Sequence, residues 1–462
     1  MSLEPDIWPD GAGITAGGQL TVGGCPLVDL AEAYATPLYV FDEGDIRAAA
    51  GRARRALGLS YPGEALVCYA AKAYCAPWIL TVLADEGLGL DVVSGGELYT
   101  AAQAGFPRDR IYFHGNNKGE DELGLALAEG VGRVVVDNLD EIERLGRLAA
   151  RRVTRQPVLL RVGPGVDAHT HSHLHTGGSD TKFGLGIASG QAAEGVRATL
   201  AQPALELRGF HAHIGSQIAT IDPYRDAVER LFAFAAEMRA VNGVPLREIS
   251  PGGGFGIRYT PDDPPVAPEW MIGQVGVLVE AAARNYGFTD PRPRLTIEPG
   301  RSIVARSAVA LYRVGSTKSL PCGRTYVAVD GGMADNIRAA AYGAKYTAVL
   351  ANRVGNGADG ETEVAIAGKY CESGDVLVPR VVLPHPRGGD LVAIPMAGAY
   401  QLSMASNYNM ALRPAVVVVA GGQARLVRRR ETYADLLAAE VLEQSPAARG
   451  DPEWKPLEQQ SS

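Results

Sequence analysis

One theme repeated from Leu66 onward constrains the fold more than any other feature. A short apolar run rich in Val, Ile or Leu is followed by a longer Ala/Leu/Glu/Arg stretch with helical spacing. Eight such runs occur: LVCYAAK (from Leu66), LGLDVVS (Leu88), RIYFHG (Arg110), RVVVDN (Arg133), VLLRVG (Val158), LRGFHAHIG (Leu207), EISPGGG (Glu248) and RLTIEPG (Arg294). Helical patterns such as GELYTAAQAG and PYRDAVERLFAFAAEMRAVNG fill the gaps. Eight β–α alternations predict an α/β chain built on a (β/α)8 barrel of the TIM type, because a doubly wound sheet usually has fewer strands. In such a barrel, chemistry gathers at the carboxyl ends of the strands, where the sequence puts Lys72, Asp91, His114, His213, Gly252 to Gly254 and Glu298.

After Arg301 the texture changes to short alternating strands without intervening helices: AVALYRV, RTYVAVDGG, KYTAVLAN, DVLVPRVVL, DLVAIPMAG, AVVVVAGG and ARLVRRR. Gly/Pro breaks between them predict an all-β barrel or sandwich, to which the first forty residues add GQLTVGG and PLYVFD. The expected division is a barrel over 38–300, a β domain from 1–37 and 301–440, and a polar tail over 445–462.

With 46% hydrophobic and 21% charged residues, the composition is that of a soluble globular chain. A net charge of −8 argues against a binder of nucleic-acid backbones. Five cysteines at irregular spacing (Cys25, Cys68, Cys75, Cys322, Cys371), with no CxxC pair, predict neither a disulfide framework nor a zinc site and fit a reducing cytoplasm. The N-terminal residues lack a signal-peptide pattern, and nowhere do about 18 apolar residues run together, so neither export nor a membrane span is expected.

Some residues suggest chemistry. Lys72 ends an apolar strand among small neighbours; an amine in a dry pocket is a better nucleophile toward an aldehyde such as that of pyridoxal phosphate, whereas an ordinary strand-end lysine snorkels to solvent. Gly252, Gly253 and Gly254 either converge their N–H groups on a phosphate or form a turn with no ligand. Glu298 is a candidate partner for a cofactor ring nitrogen or a member of a structural ion pair, and His213, taken by itself, reads as a core histidine. Arg301, Arg338 and Tyr342 stand in apolar or small surroundings, and paired arginines suit an anionic substrate group, the alternative being surface salt bridges. Cys371 is either a packed thiol or, beside Glu372, a proton donor. The alternating His169, His171, His173 and His175 are read as a barrel-mouth loop with no metal, since no carboxylate or cysteine framework accompanies them.

Lys72 and the ordered segments HIGSQ (His213–Gln217), GGGFG (Gly252–Gly256), EPGR (Glu298–Arg301), CESGD (Cys371–Asp375) and GAYQLSMASNYN (Gly398–Asn409) together resemble the diaminopimelate decarboxylases, within the alanine-racemase-type (fold type III) class of pyridoxal-phosphate enzymes. The resemblance runs from about Pro37 to Tyr433. It implies pyridoxal 5'-phosphate on Lys72, its phosphate held by Gly252, Gly253 and Gly254 with Gly256, Ser216 and Tyr400, its ring stacked by His213, and its nitrogen on Glu298. Asp91, Gly300 and Arg301 complete the implied cofactor site. Arg301, Arg338, Tyr342, Glu372 and Tyr400 would bind the distal end of the substrate, and Cys371 would protonate Cα. The implied reaction converts meso-diaminopimelate to L-lysine and carbon dioxide, the last step of lysine biosynthesis, in a homodimer with shared active sites. Alternatives are decarboxylation of D-ornithine, D-lysine, arginine or carboxynorspermidine, an amino-acid racemase, and a non-catalytic cofactor carrier. A segment ending in KFG, Lys182 to Gly184, is expected to close near the site. In one departure from the family's usual Arg-Pro-Ala-Leu-Tyr, this chain has Arg338-Ala339-Ala340-Ala341-Tyr342, and loss of the proline frees φ beside the arginine.

Overall fold

In the computed structural model, residues 3–166, 182–355 and 360–441 are described; the histidine run and the tail lie outside them. All eight predicted runs form parallel strands: β1 (Ala65–Ala70), β2 (Gly89–Val92), β3 (Ile111–Phe113), β4 (Arg133–Val136), β5 (Gln156–Gly163), β6 (Leu205–His211), β7 (Glu248–Gly253) and β8 (Arg294–Glu298). Each pairs with the next and β8 pairs with β1, which closes the barrel. The intervening helices bury one face against the barrel, and two of them start at a capping side chain, Ser94 or Asn138. Helix Leu139–Arg151, for example, buries Ile142, Leu145, Gly146 and Ala149 at helical spacing, and the Asn138 side chain accepts from the Glu141 N–H at 2.9 Å.

The period of two along each strand organises the interior. Leu66, Cys68, Tyr112, Val135 and Leu159 form an apolar cluster. Beside them the buried Glu248 accepts from Tyr112 Oη, from Thr296 Oγ1 at 3.1 Å and from Arg133 Nε at 2.7 Å. Two residues further along the same strands stand Ala70, His114, Arg161, Ser250 and Glu298, so a closed floor gives way to a polar mouth.

The second sheet is mixed rather than purely antiparallel. Its order is Val376–Pro384, Glu361–Ala367, Thr325–Val329, Ala308–Ser319, Leu38–Asp42, Ala415–Ala420 and Gln423–Arg428, with Leu391–Ile394 also paired to Ala308–Ser319. Leu38–Asp42, at the start of the expected barrel segment, is thus a strand of this sheet: it runs antiparallel to Ala308–Ser319 and parallel to Ala415–Ala420. The Asp42 N–H donates to Ser307 O at 2.7 Å, so the chain leaves for the barrel and returns from it at adjacent points. GQLTVGG does not join this sheet. Its Leu20–Val22 pairs with Gly13–Ile14 and Cys25–Pro26 in a separate three-stranded sheet. Strand Glu361–Ala367 is not among the predicted runs.

Beneath the second sheet lies a buried polar knot. Asp335 accepts from Tyr312 Oη at 2.5 Å, from Tyr39 Oη at 3.3 Å and from the Gly332 N–H at 3.0 Å, while Tyr39 Oη also reaches Gln401 Oε1 at 3.0 Å. No helix among the described residues is long and apolar enough to cross a membrane.

Candidate active site

A cavity of about 480 Å³ opens at the carboxyl ends of the strands, between the barrel and the second sheet. Lys72 lines it, but not from a dry pocket on a strand end as expected. β1 stops at Ala70, and a single turn over Ala71–Ala73 lifts the lysine so that its side chain is exposed toward the cavity. The turn is pinned from the other sheet's side, since the Tyr400 N–H and Ser403 Oγ both donate to Ala73 O, at 2.8 and 3.2 Å. Tyr400 does this with φ of 60°, a left-handed conformation that costs a non-glycine residue of order 1 kcal/mol.

Two carboxyls and three histidines crowd the mouth. Glu298 is buried; it meets His211 Nε2 at 3.0 Å and accepts from Ser250 Oγ at 2.8 Å. Burial alone would raise its pKa, but the adjacent His211, 3.0 Å away, outweighs this and holds the carboxyl well below the usual range, ionised. Asp91 is driven the other way, by burial and then by the charge of Glu298. The pair therefore divides into one ionised and one neutral carboxyl. His213 is neutral: burial, then the nearby Lys72 charge, lowers its pKa, and its Nδ1 accepts from the Gly253 N–H at 3.2 Å. His114 is likewise depressed by burial.

The cavity narrows toward Gly254, Phe255 and Gly300, with Ser216 and Tyr400 at its edge. Gly254 has φ of +95°, and a Cβ there would lie 2.1 Å from Gly215 O, so the turn needs glycine both for its conformation and for the closeness of the two chains. Not every glycine of GGGFG faces this space. The Gly252 N–H is taken by Ser250 Oγ at 3.2 Å, that of Gly253 by His213, and that of Gly256 by Ile218 O at 2.9 Å. Of the glycines expected to hold a phosphate, three thus spend their amides on neighbouring walls.

Two arginines, both buried, also line the cavity, Arg301 reaching into its narrow part and Arg338 standing outside it. Arg301 Nη1 donates to Tyr259 Oη at 2.6 Å and its Nη2 to Ser216 Oγ at 3.1 Å; Arg338 Nη1 donates to Tyr259 Oη at 2.8 Å and to Tyr346 Oη at 3.2 Å. The Arg301 guanidinium also lies 4.8 Å from the Tyr400 ring centroid. The altered Ala339–Ala341 segment lies within a short helix, Arg338–Tyr342, both of whose end residues line the cavity. Phe183 of the KFG segment lines the cavity too, with Arg161 stacked 4.4 Å from its centroid.

Cys371 and Glu372 are not brought to this cavity within one chain. Both are exposed, and Glu372 accepts instead from Tyr408 Oη. His211, Tyr259, Tyr346 and Arg161 belong to the site without having been predicted. For His211 the strand period was an available signal, since it stands two residues before His213.

The residues present fit pyridoxal phosphate. Arg301 Nε is buried without a hydrogen-bond partner, Asp91 Oδ1 and His114 Nε2 lie 3.3 Å apart at the mouth, and an ionised carboxylate, a neutral imidazole, a primary amine and a glycine-lined recess bearing two hydroxyls face one space. Residues 43–305 match the family model described as the pyridoxal binding domain of pyridoxal-dependent decarboxylases. The chain is 46% identical over 424 residues to the diaminopimelate decarboxylase of Bacillus subtilis, covering 92% of this chain and 95% of that protein. With that of Mycobacterium tuberculosis it shares 43% over 451 residues, covering 96% and 99%. A solved diaminopimelate decarboxylase from M. jannaschii in complex with L-lysine superposes with a TM-score of 0.87 at 33% identity, covering 94% of this chain and 98% of that one. A buried, histidine-flanked carboxylate facing an amine across one cavity, on a chain with these likenesses along nearly its whole length, means that the chain belongs to the pyridoxal-dependent decarboxylases, among the diaminopimelate decarboxylases.

Proposed function

We propose that the protein removes the carboxyl group from one end of meso-2,6-diaminopimelate, releasing carbon dioxide and L-lysine as the final step of lysine biosynthesis. The observation that carries this is a single cavity lined by Lys72, Glu298 and the paired guanidiniums of Arg301 and Arg338. When bound, pyridoxal phosphate supplies an aldehyde that condenses with amines and a ring that accepts the electron pair left at Cα when carbon dioxide departs.

Lys72 Nζ is the amine that would hold this group between turnovers. The ionised Glu298 would keep a proton on its ring nitrogen, oriented by His211 and Ser250. His213, neutral, would bear on the ring face; Gly254, Ser216 and Tyr400 would hold the phosphate. Arg338 and Tyr342, with Arg301, would receive the distal amino-acid end of the substrate, an end that lysine, ornithine and arginine lack. One C–C bond breaks and one C–H bond forms, and we assign the incoming proton to the Cys371 thiol.

That thiol would come from a second copy of the chain. Its exposure, its place outside the cavity, and a flank of half-exposed Tyr342, Met404, Tyr408 and Met410 support a homodimer with shared sites. Five free cysteines fit a cytoplasmic setting.

Carbon dioxide release should be measured against meso-diaminopimelate, D-lysine, D-ornithine and L-arginine, with borohydride trapping of the cofactor read by mass spectrometry. Turnover of meso-diaminopimelate alone and an adduct on Lys72 are expected. Faster turnover of another of these amino acids, or an adduct elsewhere, overturns the reading.

A further inference from the structure

The two arginines do not stand independently: one phenol oxygen joins them. Tyr259 Oη accepts from Arg301 Nη1 at 2.6 Å and from Arg338 Nη1 at 2.8 Å, which uses both acceptor positions of a hydroxyl. Arg301 belongs to the barrel, next to Gly300 and hydrogen-bonded to Ser216 at the narrow end; Arg338 belongs to the second sheet's short helix. The phenol therefore ties the narrow end of the cavity to its outer wall. Tyr259 is itself buried and packs edge-on against Tyr346, with centroids 5.6 Å apart and planes at 87°, and Tyr346 Oη supports Arg338 from the other side.

The backbone that carries Tyr259 is braced from two directions. Asp263 Oδ2 accepts from the N–H groups of Tyr259 and Thr260, at 3.0 and 2.8 Å. Just upstream, the Gln217 side chain makes a double bond pair with Ile257, donating to its carbonyl at 2.8 Å and accepting from its N–H at 3.0 Å. A rotamer so held has little freedom to follow either arginine. The arginines must follow it. Arg301 Nε, buried and without a partner, remains for an incoming anionic group.

We propose that Tyr259, seconded by Tyr346, is a positioning residue that fixes Arg338 relative to Arg301 and the cofactor recess, and so sets the length of diamino diacid the cavity accepts. The proposal rests on the reading that the arginines receive the substrate's second amino-acid end. With the cofactor recess at one end of this span and the outer guanidinium at the other, the phenol acts as the gauge between the reacting carbon and the distal carboxylate. A loosened gauge would weaken binding of the correct length and discriminate less against a neighbouring one.

The test uses cofactor-loaded Tyr259→Phe and wild type, with meso-2,6-diaminopimelate and the one-methylene-shorter 2,5-diaminoadipate as substrate or, if inert, as competitive inhibitor. Phenylalanine keeps the ring and removes the shared acceptor. KM for meso-diaminopimelate should rise about tenfold or more, as for loss of a hydrogen bond to a charged partner, with kcat within about threefold. Preference for the longer compound should fall by about tenfold, while the cofactor's absorption band and borohydride trapping on Lys72 stay as in wild type. An unchanged KM and preference, or equal losses for both compounds, would overturn the proposal. Should Tyr259→Phe not fold, Tyr346→Phe decides: a smaller shift in the same two quantities supports the gauge, and none overturns it. Wild-type turnover of meso-diaminopimelate judges the substrate reading separately from these ratios.

Discussion

Among single residues, Asp335 makes the clearest solution prediction. Burial raises its pKa to about 6, against the hydrogen bonds of Tyr312, Gly332 and Tyr39, which favour ionisation. In the unfolded chain it would titrate near 3.9. The native state therefore keeps a proton that the unfolded state has lost between these two values, so the stability Asp335 contributes is full below about pH 4 and is lost as pH rises through about 6. Relative to Asp335→Asn, whose amide does not titrate, wild type should lose about 2–3 kcal/mol of stability between pH 4 and pH 7. Urea denaturation of both proteins across that range measures it; a gap that stays constant would mean Asp335 ionises normally in the fold. Residues of this kind are also where sequence reading falls short. Lys72, Glu298 and Arg301 announce themselves because a charge interrupts a run of small or apolar neighbours. Tyr259 sits in an irregular segment after GGGFG, where a tyrosine is unremarkable until the fold folds two distant arginines onto its oxygen.

At the scale of elements, the barrel was legible because most of its strands read as short, largely apolar runs with both faces mainly buried, the kind of pattern a parallel sheet requires. Strand Glu361–Ala367 escaped because it begins Glu-Thr-Glu, exposed or half-exposed at one end, and reads as a polar loop. The turn after β7 illustrates the other limit: three glycines suggest a phosphate cradle, but only the fold reveals that neighbouring walls consume the amides of Gly252, Gly253 and Gly256. Of those glycines, Gly254 is left to share the proposed phosphate site with Ser216 and Tyr400. Gly254→Ala should therefore be severe, since alanine at φ of +95° costs about 1–3 kcal/mol in conformation alone and its Cβ would press on Gly215 O. Fluorescence titration with pyridoxal phosphate should report affinity weakened by about tenfold or more, and wild-type affinity would show that the turn plays no part in holding the cofactor.

The whole molecule is incomplete as one chain if Cys371 and Lys72 act on the same substrate. Lys72→Ala and Cys371→Ala should each be nearly inactive. Co-refolded mixtures would contain heterodimers with one doubly defective site and one intact site. Random pairing makes half the dimers mixed and half of their sites whole, so about a quarter of wild-type activity should return under two-fold symmetry. A mixture that exchanges subunits yet stays at the level of its parents would exclude sites shared between chains.

The junction where the Asp42 N–H meets Ser307 O also has a meaning in time. Leu38–Asp42 lies between Ala308–Ser319 and Ala415–Ala420 in the second sheet, yet a ribosome delivers all of residues 43–307 before the first of those partners exists. At about 5–20 residues per second, that strand waits roughly ten to fifty seconds with both edges unpaired. The barrel can fold within that interval, and once folded it holds its own two ends side by side. The late sheet then closes around an anchor already in place, so the order of synthesis turns a long-range strand pairing into a local one.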